Sequence, residues 1–147
     1  MAVDPAERSG WFWDLVDGRG SPPPAPTLLG FRLVSLDPER GAVEATFEAQ
    51  PEFANMMGGV QGGFLGAMLD TLVSSALLAL LPGGHFAPTL ELSLKYLRPV
   101  PIGTVRGTGR VLHRGGTVAF LAGELFDPDG EVATAATATA RIVRPRP

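Results

Sequence analysis

Between residues 64 and 81 the chain is apolar almost without interruption, broken only by Gly66, Asp70, Thr71, Ser74 and Ser75. No face of a helix drawn through this run is polar, so the pattern predicts a helix buried on all sides. Pro82-Gly83-Gly84 stops it. The run is also just long enough for a membrane span, but an Asp at the centre of a span costs about 2.5 to 3.5 kcal/mol. No basic flank would orient such a span, and the remaining chain reads as strands.

Those strands show a period of two. Residues 28–36 form a modest first strand, and Asp37-Pro38-Glu39-Arg40-Gly41 is a turn by composition. Val43, Ala45 and Phe47 alternate with Glu44, Thr46 and Glu48, the pattern of a strand with one wet face. After the helix, Leu90, Leu92 and Leu94 alternate with Glu91, Ser93 and Lys95 until Arg98-Pro99-Val100-Pro101 ends the strand. In the fourth strand Thr104, Arg106, Thr108 and Arg110 alternate with Val105, Gly107, Gly109 and Val111, so glycines fall on the inner face. Missing side chains there let a bulky element approach, and the apolar helix is the obvious one. His113-Arg114-Gly115-Gly116 reads as a turn, 117–126 as a fifth strand, Asp127-Pro128-Asp129-Gly130 as a hairpin turn and 131–143 as a sixth strand rich in Ala and Thr.

Two strands, one long helix and four strands predict an α+β domain whose curved antiparallel sheet wraps the helix. One small sheet cannot cover a helix on every side, so the uncovered remainder calls for a second subunit. Ahead of this domain, which is expected over 28–147, residues 1–27 read as an extension. Asp4-Pro5 predicts an N-cap and first helical position, opening a short helix with Trp11, Phe12, Leu15 and Val16 on one face as a structural cover. Ser21-Pro22-Pro23-Pro24-Ala25-Pro26 predicts a stiff extended connector.

Composition narrows the chemistry. The 147 residues make one domain with a proper core. Cysteine is absent, which excludes disulfides, thiolate zinc sites and cysteine nucleophiles. His85 and His113 are the only histidines and form no convincing metal set; both read as surface residues. A dispersed net charge of −3 does not argue for nucleic acid. Met1-Ala2-Val3-Asp4-Pro5 carries no targeting signature, so the expected compartment is the cytoplasm.

What chemistry remains lies in Asn55-Met56-Met57-Gly58-Gly59-Val60-Gln61-Gly62-Gly63 and the helix it opens. Gly62 and Gly63 stand where unpaired N–H groups and the positive end of the helix dipole favour a carbonyl oxygen that gains charge. Phosphate binding and close packing use the same device. Asp70 is either a structural carboxylate bonded to a hydroxyl such as Thr71 or Ser74, or a functional one. Seven or eight residues separate it from the glycine pair, about 11 to 12 Å along a helix axis. If both groups act on one substrate, Asp70 must come from a partner chain across a two-fold axis.

Asn55, the Gly62-Gly63 pair, Asp70 and the downstream Thr89-Leu90-Glu91-Leu92-Ser93-Leu94-Lys95-Tyr96-Leu97-Arg98-Pro99 together resemble the PaaI-like acyl-CoA thioesterases of the hotdog fold, over about residues 28–143. The resemblance implies a sheet around one helix, a homodimer with a continuous sheet and shared active sites, and often a homotetramer built as a dimer of dimers. It implies that the Gly62 N–H polarises the thioester carbonyl, and that Asp70 acts as nucleophile or activates water. Asn55 would place substrate or water, Thr89 would orient the water beside Asp70 of the same subunit, and Gly63 would contact substrate. Arg114-Gly115-Gly116 resembles the segment near the coenzyme A nucleotide.

Gln61 stands where the family usually has His; it can hydrogen-bond to the turn but cannot change charge near neutral pH, which leaves it a positional role. Phe64, Met68 and Leu69 are either acyl-pocket lining or core. The implied reaction is hydrolysis of an acyl-CoA thioester to a free acid and coenzyme A, with no metal and no redox cofactor. A non-catalytic acyl-CoA binding module is the alternative, and a hotdog hydratase or dehydratase a third. Aromatic and medium linear acyl groups are both allowed.

Overall fold

The long apolar run folds as one helix, α3 (Gly62–Leu78), and two further hydrogen-bonded turns carry it to Leu81. The computed structural model describes residues 2–147. Before α3 come α1 (Trp11–Val16), α2 (Pro24–Leu28), β1 (Arg32–Asp37) and β2 (Ala42–Ala49); after it come β3 (Thr89–Tyr96), β4 (Gly103–Arg114), β5 (Val118–Phe126) and β6 (Val132–Arg141). All pairings are antiparallel, in the order β1-β2-β4-β5-β6-β3. The strand-helix-strand order predicted from the pattern is therefore present, with the sheet curved around α3. Among the described residues no helix is long and apolar enough to cross a membrane.

The depth of the wrap follows from side chains that are missing. A Cβ on Gly109 would lie 2.6 Å from the Leu72 carbonyl oxygen, and one on Gly107 would lie 2.6 Å from Leu72 Cδ1. The backbone of β4 thus rests directly on the middle of α3. Small residues of β6, Ala133, Ala136, Ala138 and Ala140, continue this close approach. Against it α3 packs Met68, Leu69, Leu72, Val73, Ala76 and Leu77, all fully buried. Met68 and Leu69 are accordingly core residues and not pocket lining.

One strand departs from strict alternation in a way that matters for the site. In β3, Thr89 pairs with Ala140 and Glu91 with Thr139, so Leu90 is an extra residue in a bulge. Leu92 and Leu94, opposite buried Ala138 and Ala136, face the helix. The bulge gives Thr89 the same inward parity and leaves Leu90 61% exposed. The expectation that Leu90 shares a face with Leu92 and Leu94 is corrected by that single inserted residue.

Other corrections concern the start of the chain and one turn. Asp4 accepts a hydrogen bond from the Ala6 N–H at 2.9 Å, but it caps only a 3₁₀ turn (Pro5–Glu7), and Gly10, with φ of +90°, separates this turn from α1. The buried side chains of α1 are Phe12 and Trp13, which pack with Val3 and Ala79 at the C-terminal end of α3. Leu15 turns to the main core and Trp11 to the α1 cluster, so the expected stripe is split between two contact surfaces.

Residues 21–26 are not an extended connector throughout. Pro24 opens α2, and Pro26 sits in the first turn, where amide hydrogens lack intrahelical acceptors and proline loses nothing. This also moves the start of the first strand from 28 to Arg32. Finally, β4 runs through His113 and Arg114, confining the turn to Gly115-Gly116-Thr117, because a bulge between Val111 and His113 lets the ladder with β5 continue.

Candidate active site

The head of α3 is held by a braced turn. A 3₁₀ turn (Pro51–Phe53) leads into it, and the Gln61 N–H donates to the Phe53 carbonyl at 2.8 Å. The Asn55 N–H donates to Gly59 O at 2.7 Å, and Asn55 Oδ1 accepts from the Met57 N–H at 2.9 Å. Val60 N–H reaches the Val100 carbonyl at 2.8 Å, tying the turn to the segment after β3. Phe64 stacks on buried Phe53 with ring centroids 4.1 Å apart and planes inclined by 9°. Phe64 therefore locks the helix head to the turn, and it does not line the cleft beside it.

Gln61 is the residue preceding the helix, and its side chain makes no capping bond. Its contribution to the turn is made by its backbone, which corrects the expected side-chain bond: its carbonyl accepts from Phe64 N–H at 3.0 Å and Leu65 N–H at 3.4 Å. The amides of Gly62 and Gly63 precede these first intrahelical bonds and so point out of the helix end. Beside them is a cleft of about 340 Å³ lined by Asn55, Gly62, Leu65, Tyr96 and Arg98 among others. Arg98 is its one basic side chain among the described residues.

Tyr96 belongs to the Thr89–Pro99 stretch, and the family resemblance assigns it no role. Its hydroxyl donates to the Gly62 carbonyl at 2.8 Å, and a Cβ on Gly62 would come within 3.0 Å of its ring. Its being the only tyrosine of the chain is the sole sequence signal that marks it.

Asp70 lies eight residues further along the same helix, half-buried. Thr89 Oγ1 donates to Asp70 Oδ1 at 2.7 Å, so the bulge in β3 supplies the carboxylate with a hydroxyl partner. Thr71 instead donates to the Ala67 carbonyl, one helical turn back, at 3.0 Å. Because Gly62 and Asp70 share one uninterrupted helix, about 12 Å of rise lies between them. Within a chain the structure brings Asn55, Gly62, Gly63 and Gln61 together at one point and Asp70 with Thr89 at another.

Arg114 sits at the far end of α3, where its guanidinium donates to the Leu80 carbonyl. A cation on the last carbonyls of a helix satisfies an orphan acceptor and opposes the negative end of the dipole. Gly115 closes the β4–β5 turn through its N–H to Val118 O at 2.8 Å, and Gly116 is exposed. These three residues are remote from Gly62 in the same chain.

A family model described as the thioesterase superfamily matches residues 57–134. The structure superposes on that of an inferred thioesterase from Ralstonia eutropha JMP134, related to phenylacetic acid degradation, with a TM-score of 0.84 and 37% identity, covering 90% of this chain and 99% of the other. A Streptococcus mutans protein solved with acetyl CoA bound is 25% identical, with a TM-score of 0.70 over 80% of this chain and 91% of its own. The PaaI protein of Escherichia coli, from the phenylacetic acid degradation operon, shares the fold at a TM-score of 0.78 and 20% identity, covering 90% and 93% of the two chains. The braced glycine turn, the single wrapped helix and these matches lead to one conclusion: the chain belongs to the thioesterase superfamily and has the PaaI-like hotdog fold.

Proposed function

We propose that the protein hydrolyses acyl-CoA thioesters to a carboxylic acid and coenzyme A, in active sites shared between two copies of the chain. Membership of the thioesterase superfamily supports thioester hydrolysis in general, and the acetyl CoA held by the Streptococcus mutans relative supports a coenzyme A thioester. The observation that carries the proposal is the placement of two complementary groups on one helix: outward amides at Gly62 and, about 12 Å along, a carboxylate held by Thr89. Neither completes a site alone. An antiparallel second α3 brings the Asp70 of one chain opposite the Gly62 of the other.

The open edge of β3, with Leu90, Tyr96 and Leu97 exposed along it, supports that pairing, because an unpaired ladder beside apolar side chains is a surface that seeks cover. In such a site the thioester oxygen accepts from the Gly62 N–H. Asp70 takes a proton from water as the oxygen of that water bonds to the carbonyl carbon, or it attacks the carbon itself to give an anhydride that water then opens. In either route the tetrahedral oxyanion is held by the helix head and collapses as the carbon–sulfur bond breaks; coenzyme A leaves as thiolate and becomes thiol with the proton held by Asp70 in the first route or one from solvent in the second. Asn55 places substrate or water, and Arg114 with Gly115 and Gly116 contacts the nucleotide end.

The experiment is a panel of aromatic and medium linear acyl-CoAs read by free thiol release, with binding measured in parallel and mass in solution by sedimentation. Turnover by a dimer or tetramer is the expected result. Gln61, which cannot titrate where the family usually has His, gives a specific reason to weigh an acyl-CoA binding module, and tight binding without thiol release would establish that instead. Thr89→Val removes the donor to Asp70 at nearly constant volume. Its turnover is expected to fall about 10-fold, the worth of a hydrogen bond to a charged group; a kcat equal to the parent's would show that Thr89 does not orient the carboxylate.

A further inference from the structure

The peptide group joining Gly62 to Gly63 has its carbonyl at one end and the Gly63 N–H at the other, in one plane. The Gly62 carbonyl accepts from the Tyr96 hydroxyl at 2.8 Å, in addition to the intrahelical bond that a helix beginning there supplies. We infer that Tyr96 is a positioning residue of the catalytic helix head: it orients and polarises the Gly62–Gly63 peptide so that the Gly63 N–H becomes a second donor to the thioester oxygen beside that of Gly62. This inference rests on the thioesterase function proposed above.

Three observations carry it. The phenol lies over Gly62 so closely that a Cβ there would be 3.0 Å from the ring and 3.1 Å from the hydroxyl, so any side chain at this position presses on the phenol that makes the bond. Tyr96 and Gly62 line the same cleft, so the bond is made at its wall. Gly63 is exposed, and a Cβ on it would meet nothing within 4 Å, so no neighbouring side chain crowds this end of the peptide. A hydrogen bond on a carbonyl strengthens the N–H at the other end of the same peptide, by roughly 10 to 30% in condensed-phase estimates. Tyr96 also anchors the end of β3 to the head of α3 and so fixes the orientation of the Gly62–Gly63 peptide beside the cleft.

The test is Tyr96→Phe, which keeps the ring and deletes the donor. With an acyl-CoA that the parent hydrolyses, kcat is expected to fall about 10-fold while KM stays within about twofold, the pattern of an interaction made in the transition state. The amide proton of Gly63 in a ¹⁵N-labelled sample is expected to move upfield. A second variant, Gly62→Ala, pushes on the phenol and weakens its bond to the Gly62 carbonyl; in that background Tyr96→Phe is expected to cost less than in the parent, and an undiminished cost would overturn the coupling. A merely structural tyrosine would lower the melting temperature and leave kcat and the Gly63 resonance in place, and that result overturns the inference. Equal kcat in parent and Tyr96→Phe overturns it while the thioesterase function stands. No turnover of any acyl-CoA by the parent overturns the function, and the inference with it.

Discussion

Replacement of Asp70 by Asn is expected to lower acyl-CoA turnover by about 10² or more, the usual worth of a positioned general base. The change is nearly isosteric, and an Asn carbonyl at this position can still accept the Thr89 hydroxyl that now reaches Asp70 Oδ1 at 2.7 Å. Folding is therefore expected to survive, with melting temperature and sedimentation coefficient close to those of the parent. What is lost is the negative charge, and with it the capacity to take a proton from water or to attack carbon. A rate-of-thiol-release assay on the purified variant decides the matter. Full activity in a folded Asp70→Asn protein would remove the carboxylate from the reaction and return it to a structural role.

Gly109→Ala is expected to have the largest effect on stability. Its Cβ would meet the Leu72 carbonyl oxygen at 2.6 Å and carbon at 2.7 Å, and the Val73 nitrogen at 3.1 Å. All three are backbone atoms of α3, so no rotamer change relieves them, and the helix must move off the sheet. Overpacking of this kind costs about 3 kcal/mol, the upper end of its usual range. For a domain of this size that is a melting temperature lower by about 10 °C. Gly123→Ala meets Val73 Cγ1 at 3.1 Å, Leu69 Cδ2 at 3.2 Å and the Thr108 carbonyl oxygen at 3.2 Å, contacts a few tenths of an ångström looser than those at Gly109, and is expected to cost less. Gly116→Ala meets nothing within 4 Å and is expected to melt with the parent. Thermal unfolding of the three variants orders them; a Gly109→Ala protein as stable as the parent would mean that helix and strand are further apart than described.

How much of this could be read from sequence depended on whether a feature was local. The wrapped helix was legible because eighteen consecutive positions without a polar face have one stable destination. Gly107 and Gly109 were legible as contact points because they share strand parity with Val105, and the close approach to Leu72 is the result. The turn at Asp127–Gly130 was legible from composition: Asp127 Oδ1 accepts from the Asp129 and Glu131 amides, and Gly130 takes a φ of +83°. The N-terminal helix was misread where tertiary contact overrode periodicity, since Trp13 is buried by Val3 and Ala79 and not by a stripe of its own helix. The Pro-rich segment was misread because proline density suggests extension, whereas prolines in a first helical turn are compatible with α2.

By itself, then, the sequence determined the architecture and named the reactive candidates: hydrophobic periodicity and glycine placement depend on near neighbours in the chain, and so do the helix head at Gly62 and the position of Asp70 along the same helix. The tertiary structure alone decided which groups meet. A bulge at Leu90 turns Thr89 onto Asp70, and the register of β3 carries Tyr96 onto Gly62, 34 residues away. Arg114 was drawn to the Leu80 carbonyl at the opposite end of α3. Such pairings hang on a one-residue shift in strand register, and a shift of that size leaves the hydrophobic pattern almost unchanged while it changes which side chain faces the helix.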